Sequence, residues 1–146
     1  MYRIKIYQPG KIKSKFIKEG LSHYLKMISP FAKIEIIELK EGHGDIKKII
    51  EEESKQIINN VQGDFILLHR EGTMLDSLLF AELIKKRSIH QFVIGGVYGV
   101  NDVVYNAASI KLSFSKMTFT HELSRLILLE QLYRAMTIIH GKRYHY

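Results

Sequence analysis

The chain is 146 residues long, carries no cysteine and only two prolines, and sets 22 Lys and Arg against 15 Asp and Glu for a formal charge of +7. That length suits one compact domain able to bury about 70% of its unfolded surface, while the missing thiols exclude disulfides, thiolate metal sites and cysteine nucleophiles together. The basic balance makes a polyanion, nucleic acid above all, the leading partner class, and a hydrophobic share of 46% with so little proline excludes a disordered chain.

The opening MYRIKIYQPG has no apolar signal core, and the longest apolar run, in RLILLEQL, is too short for a bilayer. A cytoplasmic protein with no membrane partner is expected. Within that opening, YRIKIYQ alternates at period two and reads as a strand closed by PGK. KSKFIKEGLSHYLKMI follows as a helix with Phe16, Ile17, Leu21, Tyr24, Leu25 and Ile28 on one stripe, ended by Ser29-Pro30. AKIEIIEL is a second alternating strand. After a glycine-containing loop over 40–44, Asp45 is placed to cap a helix through IKKIIEEESKQIINNV, where Lys47–Glu51 and Glu51–Lys55 stand at i,i+4. Glu51, Glu52 and Glu53 fan around that helix and are expected on a solvated face.

DFILLH and HQFVIGG are nearly continuous apolar runs, the pattern of strands covered on both faces of a parallel sheet. LDSLLFAELIKKRS between them is a helix with Leu75, Leu78, Leu79, Leu83 and Ile84 inward, so the three form a βαβ unit. NDVVYNAAS makes a short helix, IKLSFS a last short strand and HELSRLILLEQLYRAMTII the terminal helix. The expectation is one α/β domain over residues 1–146, with about five strands in a mostly parallel sheet, five helices and no repeats. The terminal helix is apolar over most of its circumference and so needs cover on more than one side, from its own domain or from a second subunit.

Several motifs fail on inspection. GGVYG follows a buried strand, but its spacing is not that of a dinucleotide fingerprint; its glycines serve either a tight turn or a closely approaching ligand. HELSR has Arg125 where a zinc-protease helix needs a second histidine, and SFSK lacks its partner sequences. Seven scattered histidines carry no metal-ligand spacing, so no metal is expected. In open parallel sheets ligands bind at the carboxyl ends of strands, and LLHREGT, GGVYG and SFSKMTFTH occupy three such ends. Together they suggest a small-molecule pocket.

FVIGGVYGV, LSFSKMTFTHELSRLILLEQLYRA and the terminal HGKRYHY resemble the bacterial RlmH family, large-subunit ribosomal RNA pseudouridine N3-methyltransferases of the SPOUT class, and the resemblance runs the whole length. It implies an α/β fold whose C-terminal segment is tucked into a trefoil knot, a homodimer, and S-adenosyl-L-methionine held by loops after three strands. Carried over by residue, the cofactor contacts fall on Leu68, Gly95, Phe114, Ser115, Lys116, Met117, Thr118 and Phe119, on the loops already singled out. The family's closing Gly-x-Pro-Tyr-His and a final Lys or Arg are matched at Tyr144 and His145, whereas Arg143 replaces the proline and Tyr146 the final cation; Thr120 likewise stands where proline is usual.

The implied reaction places a methyl group on N3 of a pseudouridine in ribosomal RNA, within the large subunit or the assembled ribosome. His145 is the candidate base, with Tyr144 positioning or stacking on the nucleotide; stacking alone is the rival role for both. Phosphate contacts are expected from Lys11, Lys13, Lys15, Arg125, Arg134, Lys142 and Arg143, against a solvated helix face for the first three and an i,i+4 pair with Glu130 for Arg134. A non-catalytic RNA-binding or ribosome-associated module with the same fold is the competing class, followed by a nucleotide-binding enzyme using the glycine loop.

Overall fold

The computed structural model describes residues Met1–Tyr146. Its elements follow in the order β1 (Tyr2–Pro9), α1 (Lys15–Ile28), β2 (Ala32–Leu39), α2 (Ile46–Asn60), β3 (Ile66–Met74), α3 (Ser77–Lys85), β4 (Ile89–Ile94), α4 (Asp102–Ala107), β5 (Ile110–Ser113) and α5 (His121–Ile139). The five strands form one sheet in the order β2-β1-β4-β3-β5, and every neighbouring pair is parallel. The α/β architecture expected from the sequence is therefore present.

Alternate side chains of the inner strands feed two separate cores. Ile4 and Ile6 of β1, Ile66 of β3 and Phe92 and Ile94 of β4 point to one face, where α1, α3 and α5 bring Leu21, Ile84, Leu128 and Leu132. Tyr7, Leu67 and Val93 point to the other, against Ile57 of α2 and Val104 of α4. Helices on both faces explain why β3 and β4 read as continuous apolar runs. They also explain why the alternation of β1 breaks down: Tyr7 and Gln8 are both buried beside Ile6.

Four expectations about burial are corrected. Phe16 is 69% exposed although it starts the α1 stripe; Ile17, Leu21 and Ile28 carry the buried face. Leu78 and Leu79 are each more than half exposed, and the inward residues of α3 are Phe80, Ala81 and Ile84. A helix of nine residues makes too few turns for the leucines alone to fix which side faces the sheet. Glu53 leaves the solvated face assigned to it and is buried. Finally, β3 does not stop at His69 but runs to Met74 through a register shift between Leu68 and Thr73, both opposite Leu112 of β5. Gly72 sits inside that irregularity, where a Cβ would meet the Lys111 backbone at 2.6 Å, so only glycine lets β5 close on it.

The apolar circumference of α5 is covered from within the chain, by α1, α3 and the sheet. Leu128, Leu129, Leu132 and Met136 are completely buried. Of the two explanations for that helix, packing inside its own domain accounts for these residues.

Candidate active site

Parallel strands deliver their carboxyl ends to the same edge of the sheet, and here the ends of β3, β4 and β5 open onto one cavity of about 1360 Å³. Leu68, Gly95, Phe114, Ser115, Met117, Thr118 and Phe119 all line it. Lys116, the eighth expected cofactor residue, is exposed and does not. The cavity also takes in residues not singled out for the cofactor, Lys13, Phe16, His121 and Glu122 among them. His121 closes the SFSKMTFTH stretch already placed at a strand end, whereas sequence pattern had no means of finding Glu122, because the cavity there is made by what the first turn of the helix is packed against.

The third loop is held by its own polar groups. The Ser113 hydroxyl donates to the Ser115 carbonyl at 2.9 Å, and the Ser115 hydroxyl accepts from the Met117 N–H at 2.9 Å. Thr120, at the place usually taken by proline, caps α5 by accepting from the Leu123 N–H at 3.2 Å. The helix start is then tied to the sheet from below. Gln8 donates to the His121 carbonyl at 2.7 Å and accepts from Arg125, whose guanidinium also reaches Glu38 at 2.9 Å and the Gly10 carbonyl. Glu122 accepts from the Lys13 and Ser14 N–H groups; burial alone would raise its pKa, but those two donors, with His121 and Arg125 nearby, hold it below the usual carboxylate value.

This network corrects the assignment of Arg125 to phosphate. Its side chain is 3% exposed and its donors are engaged inside the fold. Gln8, which no sequence pattern marks, is the buried partner that makes the arrangement possible.

The second loop resolves into a turn that also lines the cavity. Gly99 donates to the Gly96 carbonyl at 3.1 Å and adopts a φ of +82°, which glycine alone takes readily. The turn is bracketed from behind by α2, through Glu53 beside Gly96 and through the Ser54 hydroxyl, which accepts from the Asn101 N–H at 3.0 Å.

The C-terminal stretch lies against α5. The Tyr144 hydroxyl donates to Glu130 at 2.8 Å, its ring meets Tyr133 edge-on at 4.7 Å, and the Arg134 guanidinium lies 4.7 Å from its centre. Burial and the Glu130 hydrogen bond push the Tyr144 hydroxyl well above its ordinary pKa, so it stays neutral. Arg134 pairs with Glu130 at 3.0 Å and approaches His145 Nδ1 at 3.2 Å. The i,i+4 pair with Glu130 weighed for Arg134 is present, and its side chain is about a quarter exposed. Lys142 and Arg143 are exposed.

His145 does not line the large cavity. It faces a neighbouring one of about 480 Å³ with Asp76, Ser77 and Gln131, and Leu112, Phe114 and Phe119 border both. Within one chain the three strand-end loops are brought together, and the Tyr144–His145 pair stands on the far side of the Phe114–Phe119 wall.

Comparison with known proteins covers the whole chain. Residues 2–145 match the family described as "Predicted SPOUT methyltransferase". A protein of Thermodesulfovibrio yellowstonii named "Ribosomal RNA large subunit methyltransferase H" is 69% identical over 146 residues, all of both chains. Proteins of the same name from Bacillus pumilus and Thermotoga maritima are 40% identical over 156 residues and 39% over 151, covering at least 97% of this chain and 98% of theirs. With a cavity at the ends of three parallel strands and a family match along nearly every residue, the chain belongs to the SPOUT methyltransferases.

Proposed function

We propose that this protein is an S-adenosylmethionine-dependent methyltransferase that modifies N3 of a pseudouridine in large-subunit ribosomal RNA and works as a homodimer. The observation that carries the reading is the convergence of seven expected cofactor residues, from three separate loops, on one cavity. The cavity fits the cofactor chemically: Phe114, Phe119 and Leu68 offer apolar surface for a flat base, and the Gly95–Gly99 turn offers backbone without side chains. Once bound there, the cofactor supplies an electrophilic methyl group on sulfur.

The remaining chemistry belongs to the protein. The N3 proton must leave as the bond from carbon to sulfur breaks and the bond from carbon to nitrogen forms. The His145 imidazole is the group proposed to take it, with Tyr144 stacking on the nucleotide. What supports the dimer is that His145 stands outside the cavity of its own chain, so that the tail of a second subunit would be needed to complete the site. Met74, Leu78 and Leu79, each more than half exposed, provide apolar surface for such a contact. Lys11, Lys13, Lys15, Lys142 and Arg143, all exposed, are the proposed phosphate contacts. The family reading further has the C-terminal segment knotted, and what supports it is the return of α5 between α1 and α3 after β5.

Two measurements test this. Calorimetric titration should give saturable S-adenosylmethionine binding, and no binding at millimolar ligand overturns the reading. Mass spectrometry of ribosomal RNA from cells with and without the protein should show a methylated pseudouridine only in the former. Cofactor binding without any methylated product would instead favour the non-catalytic module.

A further inference from the structure

We infer that Glu53 is a positioning residue that latches the Gly96 turn of the cavity from behind, by packing its buried carboxyl against the Gly96 Cα. The residue is 4% exposed and does not itself line the cavity. One oxygen accepts the Gly42 N–H at 3.0 Å; the other, Oε1, has no hydrogen-bond partner. That free oxygen faces the turn: a Cβ built on Gly96 would lie 2.3 Å from it, so the glycine's own hydrogen points at the carboxyl. The next residue, Ser54, grips the other end of the same segment through the Asn101 N–H. Two consecutive buried residues of α2 therefore hold residues 96–101 from behind, while the front of residues 96–100 lines the cavity.

The protonation state follows from the surroundings. No lysine, arginine or histidine pairs with Glu53, and a buried carboxylate lacking both a counter-charge and a second donor is strongly disfavoured. The titratable groups facing it are Glu41 on the loop before α2, Glu52 on α2 itself and His121 at the start of α5; the two carboxylates oppose its ionisation and His121 favours it. Burial, ahead of these, raises its pKa.

The test has an arm that needs no cofactor and one that rests on the methyltransferase reading. Amide hydrogen exchange over residues 95–101 should speed up about tenfold in Glu53→Ala and stay near wild type in Glu53→Gln, which keeps a side chain of the same shape against Gly96. S-adenosylmethionine affinity should follow the same order. Gly96→Ala, which drives a methyl group into Oε1, should loosen the turn in the wild-type background and do less harm beside Glu53→Ala. Exchange unchanged in Glu53→Ala, or equally fast in Glu53→Gln, overturns the latch. If wild type binds no cofactor the methyltransferase reading falls, and the exchange arm still decides the latch.

Discussion

The large cavity and the C-terminal tail share the Phe114–Phe119 wall, yet they are held by different means. Around the cavity, backbone is tied to backbone or to fully buried side chains: Gln8 to the His121 carbonyl, Arg125 to Gln8 and Gly10, Ser54 to Asn101. The tail is tied by half-buried side chains, chiefly to α5 through Glu130, Tyr133 and Arg134. Groups that must receive a ligand in one geometry gain from being fixed in advance. A segment that must meet a large substrate, or a second subunit, is drawn from the less stable end of the molecule. The contrast is what an enzyme needs when one reactant is small and the other is a ribosomal RNA.

The sharpest way to break this division is to mutate the tail and watch the cavity. His145→Ala should lower the methyl-transfer rate by about a hundredfold or more while leaving S-adenosylmethionine affinity unchanged by calorimetry. A parallel loss of cofactor binding would merge the two regions into one site. Mixing that variant with Phe119→Ala protomers should restore part of the activity if tail and cavity are contributed by different subunits.

Next in size, Arg125→Ala should destabilise the protein by about 3 kcal/mol in denaturant unfolding, because it strands the buried Gln8 amide oxygen and removes the partner of Glu38. If Arg125 instead touched phosphate, stability would hold and the salt dependence of RNA binding would fall.

Phe119→Ala probes the wall itself. Loss of apolar contact should weaken cofactor binding by about 2 kcal/mol, roughly thirtyfold, with thermal stability only slightly changed because the side chain is half-buried. The smallest effect is expected for the exposed cations: Lys142→Ala or Arg143→Ala should weaken RNA binding several-fold and reduce the slope of log affinity against log salt by about 1 each, with no change toward the cofactor.

Much of the cavity was legible because strand ends and glycines leave marks in a sequence. The three loops could be singled out before any coordinates, since a parallel sheet sends its carboxyl ends to one edge, and the family resemblance then picked Leu68, Gly95 and residues 114–119 within them. The exceptions are instructive. Lys116 lies in the right loop but points to solvent, because consecutive residues of a loop cannot all face one cavity. Arg125 and Arg134 read as phosphate ligands because charge is visible in sequence and burial is not. Glu53 read as one of three solvated carboxylates; what buries it is the Gly42 loop on one side and the Gly96 turn on the other, 11 and 43 residues away along the chain.

The amino-acid sequence by itself determined the element order, the parallel α/β class, the three loops of the cavity and the family, because periodicity, turn residues and motif spacing are local properties. Only the tertiary structure decided which face of α3 is inward, that Gln8 and Arg125 brace the start of α5, that Glu53 stands behind the glycine turn, and that His145 lies beyond the Phe114–Phe119 wall. Each of those depends on which distant segments meet. Burial, hydrogen-bond partners and the charge state of a carboxyl are set by such meetings, and no local pattern encodes them.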